Sequence, residues 1–325
     1  MLTTFTCRDF KSFRGEAALP PGPLTVLIGA NAAGKSNVIE ALRLLSWLAQ
    51  GQKLSSIQYA VNSADRVVRG RVEDLGYRGQ VQFGLGCITD DAEWSRLTMA
   101  ISLRGGELHI GAEKIEHSSG GVPLYDMDQP SAGVGTDAGV AYNNFARGRN
   151  KPHVTVSDQM ATFVQFESPA RFAAGHHKAQ ETIPAIALRY QSLLSNVLFL
   201  DPVPARMREY SFVADKRLLG DGTNLSSVLF RLWGSDAQAH AEPFRSQRQA
   251  ILGFIQSLPE QDIAGLAFLE GPRGEVMVQL LETFGGMPTP YDASLLSDGT
   301  LRVLAIAAAM LSAPEGSLVV IEEID

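Results

Sequence analysis

Residues 29–36 are Gly29-Ala30-Asn31-Ala32-Ala33-Gly34-Lys35-Ser36. An apolar run, Leu24-Thr25-Val26-Leu27-Ile28, precedes them, and a helix-like run, Asn37-Val38-Ile39-Glu40-Ala41-Leu42, follows. The order of strand, glycine-containing turn and helix surrounds the pattern G-x-x-x-x-G-K-[ST], which is typical of a phosphate-binding P-loop. A chance match in a turn is the alternative, and the flanking strand and helix argue against it.

The spacing of this loop suits a chain of phosphates. Two glycines allow a tight turn whose N–H groups point inward, and the next helix presents its positive end to the same point. Lys35 is expected to reach the β- and γ-phosphates, and the hydroxyl of Ser36 to bind Mg²⁺. The predicted nucleotide-binding residues are Gly29, Ala30, Asn31, Ala32, Ala33, Gly34, Lys35, Ser36 and Asn37.

Composition predicts a soluble globular protein. The 325 residues are 45% hydrophobic, which is enough for the core of one large domain or two. No apolar run is long enough to span a membrane, and the first ten residues lack the regions of a signal peptide, so we expect a cytoplasmic protein without membrane contact. Cys7 and Cys87 form no C-x-x-C pair and predict buried thiols. The net charge of −7 argues against binding nucleic acid over the whole surface and leaves a local basic groove open.

The spacing of apolar residues predicts the strands and helices in the rest of the chain. Alternating apolar residues indicate strands, and apolar residues with a helical period indicate helices. Strands are predicted at 2–7 and 24–28, a helix at 37–50, and antiparallel strands between 67 and 108. Little periodicity over 117–151 predicts a mobile insertion. Helices are predicted at 183–196, 226–233 and 244–258, a strand at 197–202, and a hairpin at 266–281.

The sequence contains two clusters of basic residues, and the function of each cluster has two possible interpretations. The first cluster is Arg147, Arg149 and Lys151, and the second is Arg206, Arg208, Lys216 and Arg217. Either cluster could contact phosphates, or it could be an ordinary solvated surface.

A second motif, Leu295-Leu296-Ser297-Asp298-Gly299-Thr300-Leu301-Arg302, leads into an apolar run over 303–311. Ser297 is a natural N-cap, so the motif predicts a buried helix with a polar N-terminal end. An ordinary capped core helix would have the same pattern.

A third motif, Leu318-Val319-Val320-Ile321-Glu322-Glu323, is an apolar strand that ends in paired carboxylates. In a P-loop protein such a strand lies beside the P-loop strand and brings its acids to Mg²⁺ and the attacking water. We expect Glu322 to hold the metal and Glu323 to orient or deprotonate the water. The predicted catalytic residues are therefore Lys35 and Glu323.

The order of the three motifs resembles the ATP-binding-cassette (ABC) ATPases of the RecF, SMC and OLD type. Phe10-Lys11-Ser12-Phe13 before the P-loop and Asp221-Gly222-Thr223-Asn224-Leu225 before a helix are similar to that group as well. The resemblance implies an α/β P-loop NTPase of ABC-ATPase type. It implies a mixed sheet, an antiparallel β subdomain and a helical insertion that carries the signature motif.

The same resemblance implies a mechanism and partners. Ser297, with Gly299 beside it, would contact ATP held by the P-loop of a second protomer, which gives a head-to-tail homodimer with ATP and Mg²⁺. Compact relatives act on DNA or RNA, or with a separately encoded effector such as a nuclease, in DNA repair or antiphage defence. Two features depart from the family pattern, which are Glu322 in place of Asp and the lack of assignable core elements after the paired acids.

The expected division of the chain is a P-loop half at 1–60, an antiparallel β subdomain at 61–175 and a mainly helical subdomain at 176–290. Residues 291–325 hold the signature helix and the acid-bearing strand, and the core is expected to be incomplete after 325. The alternative function is an ATP-gated scaffold or sensor with little turnover that recruits a partner protein. A transporter nucleotide-binding domain is a weaker reading because the insertion before the signature is long and rich in strands.

Overall fold

The computed structural model describes residues 1–57, 67–133, 135–148, 150–215, 217–258, 262–283 and 285–322. The chain falls into two compact units, Met1–Val197 and Leu198–Asp325. The finer division into four parts stays a prediction.

The first unit is built on an eight-stranded sheet in the order β2-β1-β3-β4-β5-β6-β7-β8. All of its pairings are antiparallel, as the sequence predicted for the strands after residue 67. The strands are β1 Leu2–Arg8, β2 Glu16–Leu19, β3 Gln82–Thr89, β4 Arg96–Arg104, β5 Glu107–Glu116, β6 Tyr125–Gln129, β7 Asp137–Tyr142 and β8 His153–Ser157.

Alternating apolar side chains fix the register of the sheet. Leu85 pairs with Met99 and Cys87 with Leu97, and all four side chains are buried. Because side chains alternate with a period of two, a slip of one residue would turn this apolar row toward solvent.

The described helices of the first unit are α1 Lys35–Ala49, α2 Thr162–Gln165 and α3 His177–Ser195. Leu42, Leu45 and Leu48 of α1 are buried, and α1 packs against α3. The helices predicted near 37–50 and 183–196 are therefore confirmed. Both begin a few residues earlier than predicted.

The segment 117–151, predicted as a mobile insertion, contains two strands that the sequence did not predict. The segment supplies β6 and β7 to the sheet, and the side chains of Tyr125, Val140 and Tyr142 are buried. Each strand has only five or six residues between turns, which is too short for the alternation to stand out. Lys151, in the first basic cluster, donates to Asn144 Oδ1 (3.2 Å) and Ala146 O (3.0 Å) and so closes a loop; Arg149 lies outside the described residues.

The prediction of a strand at 24–28 is wrong. No strand is assigned there, and the exposed fractions of Leu24, Val26 and Ile28 are 85, 64 and 89%. An apolar run such as this one indicates only a local preference for the extended conformation. A strand also needs a neighbouring strand to which it is hydrogen-bonded. The acid-bearing strand pairs with residues 198–200, and its position beside the run at 24–28 stays a prediction.

The second unit contains a parallel pair and an antiparallel sheet. The pair is β9 Leu198–Leu200 with β14 Val319–Ile321. The sheet has the order β10-β12-β11, with β13 also paired to β12. Its strands are β10 Ser211–Phe212, β11 Ile263–Glu270, β12 Glu275–Glu282 and β13 Thr289–Asp292.

The described helices of the second unit are α4 Pro204–Met207, α5 Leu225–Trp233, α6 Phe244–Ile255 and α7 Asp298–Ser312. They enclose a core that includes Met207, Val228 and Leu304. The predicted helices, the strand after residue 197 and the hairpin at 266–281 are confirmed, and so is the α/β fold class. Among the described strands, parallel and antiparallel pairings occur in separate sheets and not in one mixed sheet.

Both cysteines are buried thiols, as predicted. Burial raises the pKa of Cys7 to about 11 and the pKa of Cys87 to about 12. Neither thiol is therefore ionised near neutral pH. Among the helices of the described residues, none has the length and hydropathy needed to cross a membrane.

A buried carboxylate joins the sheet to α2. Glu113 of β5 accepts hydrogen bonds from Tyr125 Oη (2.7 Å), Thr162 N (2.7 Å) and Phe163 N (3.1 Å). Burial raises the pKa of Glu113 to about 7, although these three donors favour the ionised form.

We predict that this carboxyl group makes stability depend on pH. The pKa of Glu113 lies above its ordinary value of 4.5 in the folded state. The stability that Glu113 contributes is therefore complete below about pH 4.5 and is lost as pH rises through about 7. Glu113→Gln cannot titrate, so urea unfolding should show a smaller loss of stability between these two pH values.

The control is Glu116→Gln on the same strand, because the Glu116 side chain is partly exposed and pairs with Lys114. An unchanged pH dependence in Glu113→Gln contradicts the prediction.

Candidate nucleotide-binding site

The loop before α1 turns back on itself at Gly34. Ala33 N donates to Ala30 O (3.1 Å), and Gly34 has a φ of +96°. A Cβ atom at Gly34 would lie 3.0 Å from Ser12 Oγ and 3.3 Å from Phe13 Cζ. Glycine is therefore required both for the left-handed backbone and for close packing. Ala32 has a φ of +67°, so this non-glycine residue holds strain in the same loop.

The first turn of α1 is open to an anion. No side chain makes a capping hydrogen bond there, and the turn contains no acidic residue. The first N–H groups of a helix have no partner within the helix, and the helix dipole places partial positive charge on them. Ser36 and Asn37 lie half-buried at this end. The loop and helix end thus fit the phosphate cradle predicted from the sequence.

The ammonium group of Lys35 lies against its own loop. Lys35 Nζ donates to Gly29 O (2.5 Å) and Ala30 O (3.0 Å). The ammonium group is therefore held at the loop that the sequence predicts to bind phosphates.

A short segment behind the P-loop fixes its position. Asn37 Nδ2 donates to Ser12 Oγ (2.8 Å), and Ser12 and Phe13 are the residues that approach Gly34. The sequence indicates Ser12 and Phe13 only through the family resemblance, because a contact between residues 25 positions apart leaves no local pattern.

An ion-pair cluster ties the same segment to α1. Glu40 of α1 has an exposed side-chain fraction of 3% and pairs with both Lys11 and Arg69. Lys11 Nζ also donates to Arg69 O (2.8 Å). A buried carboxylate needs such partners, so the cluster holds residues 11 and 69 against the P-loop helix.

The signature motif forms the exposed N-terminal end of α7. Ser297 Oγ accepts from Thr300 N (3.1 Å) and lies 2.8 Å from Thr300 Oγ1. The predicted N-cap is confirmed. Ser297, Asp298 and Gly299 are exposed, while Leu304 on the same helix is fully buried. The helix therefore combines an apolar body with a polar, accessible end.

The acid-bearing strand is short and parallel. Ile321 pairs with Leu200, and Glu322 N donates to Leu200 O (2.9 Å), which fixes the backbone of Glu322 at the strand end. Glu322 is half-buried, and Glu323 lies outside the described residues.

The predicted site residues therefore fall into two sets. The P-loop set, residues 29–37, belongs to the first unit, and the second unit holds Ser297, Gly299 and Glu322. Within the part of the chain that the structure describes, no group of three or more His, Cys, Asp or Glu side chains could hold a metal ion by itself.

An α/β fold in which a glycine turn opens onto an uncapped helix end is that of a P-loop NTPase. A family model supports this class directly. The family is described as "AAA domain, putative AbiEii toxin, Type IV TA system". Its model matches residues 24–96 and 189–325. The match covers more than half of the chain, and the chain belongs to this family.

The chain is also similar to chains of solved structures. Matches were found to 42 chains. One is the Smc head domain of Pyrococcus furiosus, with an extended coiled coil and bound to the C-terminal domain of ScpA. It is 11% identical, with a TM-score of 0.43, and the match covers 99% of this chain and 89% of that chain. No curated protein matches the chain.

We predict that Gly34→Ala weakens nucleotide binding at least tenfold. The new methyl group forces Ser12 and Phe13 away from the loop, and the left-handed backbone adds a cost of about 1 kcal/mol in stability. Titration with a fluorescent ATP analogue measures the first effect, and urea unfolding measures the second.

Gly105→Ala is the matched control. Gly105 also has a positive φ (+58°), but a Cβ atom there meets nothing within 4 Å. This variant should lose stability and keep nucleotide affinity. Equal affinities for both variants would show that packing at Gly34 does not shape the site.

Proposed function

We propose that this protein binds and hydrolyses ATP and forms a head-to-tail dimer around the nucleotide, in order to act on DNA, RNA or a partner effector. The observation that carries the proposal is the P-loop geometry, in which a left-handed turn at Gly34 leads into a helix end without a cap or an acid. Family membership supports the ATPase class.

The residues divide the chemistry of hydrolysis between them. The P-loop N–H groups and Lys35 bind the triphosphate and balance its charge. Ser36 and Glu322 supply a hydroxyl and a carboxylate, which are oxygen ligands of the kind that Mg²⁺ prefers. The metal supplies charge compensation at the phosphates. Glu323 orients and deprotonates the attacking water.

The exposed end of α7 supports the dimer. Ser297 and Gly299 present a helix N-terminus to solvent, and such an end attracts a phosphate chain for the same reason as the end of α1. In the proposed dimer, Ser297 of one protomer faces the ATP bound by the P-loop of its partner.

A cytoplasmic role in prokaryotic defence or DNA repair completes the proposal. The family is described by a toxin of a type IV TA system, which supports a defence setting. The net charge of −7 restricts any contact with nucleic acid to a local region, and it leaves a protein effector such as a separately encoded nuclease as the other partner.

We predict that Lys35→Ala lowers ATP affinity at least tenfold and leaves the fold intact. The substitution removes the side-chain positive charge of the cradle while Gly34 keeps the loop shape. A fluorescent-nucleotide titration measures affinity, and circular dichroism checks the fold.

Lys53→Ala serves as the control because Lys53 is exposed in the same unit. Retained affinity in Lys35→Ala would sink the assignment of this loop as the ATP site.

We predict opposite effects on the dimer from two further substitutions. Glu323→Gln removes the base, so a dimer trapped by ATP should accumulate. Ser297→Arg places a bulky side chain at the interface, so the dimer and turnover should both fall while each protomer still binds ATP. Light scattering with ATP and Mg²⁺ measures the mass.

Ser257→Arg is the control for Ser297→Arg because Ser257 is exposed on the turn after α6. The same mass for the wild type, Glu323→Gln and Ser297→Arg would reject the dimer. Dimer formation without turnover in the wild type would instead support an ATP-gated scaffold.

A further inference from the structure

The second basic cluster divides into side chains with different partners. Arg206 Nη1 pairs with Asp221 Oδ2 (2.6 Å). Arg208, two residues later, turns instead to the signature motif. The cluster is therefore not a uniform basic surface, and Arg208 has a separate role from its neighbour.

One nitrogen atom of Arg208 contacts both residues that flank Ser297. Arg208 Nη2 donates to Leu296 O (2.9 Å) and to Asp298 Oδ1 (2.6 Å). The side chain of Arg208 is 27% exposed, and that of Asp298 is 67% exposed. Ser297 thus stands on a turn whose two sides are held by one guanidinium group.

The backbone that carries Arg208 is held by packing in the second unit. Arg208 directly follows α4, which packs against α7, and Met207 at the end of α4 is fully buried in the core of the second unit. A Cβ atom at Gly222 would lie 2.6 Å from Met207 Sδ, so this residue is packed tightly. Because Met207 is buried, the backbone next to Arg208 is held in place, and the Arg208 side chain extends from a fixed point.

Arg208 also changes the charge at the end of α7. Asp298 lies in the first turn, next to the point where the proposed function places a triphosphate. An uncompensated carboxylate there would repel phosphate, and the guanidinium group balances it.

We propose that Arg208 is a positioning residue for the signature motif, which fixes the turn around Ser297 and neutralises Asp298 so that this helix end can receive the nucleotide of a second protomer. The role in the dimer rests on the proposed function. The role in fixing the turn rests only on the two contacts of Arg208.

An ordinary surface ion pair is the alternative. Such pairs between exposed side chains add little to stability, and their loss leaves the backbone in place. The hydrogen bond from Arg208 to the Leu296 carbonyl makes the two readings differ, because its loss frees the backbone beside Ser297.

The experiment compares Arg208→Ala, Arg208→Lys and Arg206→Ala in the full chain. Amide hydrogen exchange of the peptide over 293–302 should become at least tenfold faster in Arg208→Ala. Arg208→Lys should recover part of the protection, because an ammonium group keeps the charge without the planar fork. Arg206→Ala should match the wild type, since its partner Asp221 lies outside the motif.

Dimerisation and nucleotide affinity are measured on the same variants in the Glu323→Gln background. Arg208→Ala should need at least tenfold more protein to dimerise with ATP, while the affinity of each protomer for the fluorescent nucleotide changes less than twofold. Arg206→Ala should change neither quantity by more than twofold.

Each contrary outcome has a distinct meaning. Unchanged exchange in Arg208→Ala overturns the proposal. Faster exchange with wild-type dimerisation overturns the role in the dimer. If Glu323→Gln itself does not dimerise, the proposed function fails, and the exchange data still decide whether Arg208 fixes the turn.

Discussion

Each helix begins with N–H groups that have no partner inside the helix, and the chain meets this constraint differently at α1 and α7. At α1 no side chain caps the end, and the loop from Gly29 to Gly34 lies over it with the Lys35 ammonium group. At α7 Ser297 caps the end and Arg208 balances Asp298. An open helix end is ready for a strong anion. A capped end leaves fewer N–H groups free for an anion.

The geometry of the open end depends on the parts behind it. Gly34 can approach Ser12 and Phe13 only because residues 9–15 form a closed loop, in which Asp9 N donates to Gly15 O (3.0 Å). The pairing of Glu40 with Lys11 and Arg69 then holds this loop to α1. The predicted nucleotide-binding loop is therefore supported by ion pairs of residues outside the loop itself.

The sequence predicts the helix after the P-loop and the cap at Ser297 better than it predicts several of the strands. The P-loop and the cap at Ser297 depend on local rules of backbone conformation and helix ends, which short motifs carry in full. The strand at 24–28 fails because pairing is a property of two segments, and the apolar pattern of one segment does not report its neighbour. The strands β6 and β7 are missed for the opposite reason, since a partner in the sheet stabilises segments with little pattern of their own. Arg208 was grouped with Arg206 because spacing in the sequence cannot show that the two side chains turn to different partners.

The two units also differ in how far apart in the sequence their paired strands lie. From β3 to β8, each strand of the large sheet pairs with the next strand in the sequence, so loops of modest length close this part of the first unit. In the second unit β9 opens the segment and pairs with β14 at 319–321, which requires the whole intervening chain. Contacts between sequence neighbours form quickly, and closing a long loop is slow. On the ribosome, β3 to β8 can therefore fold while residues 198–325 are still being made, whereas β9 can pair only after β14 has been made.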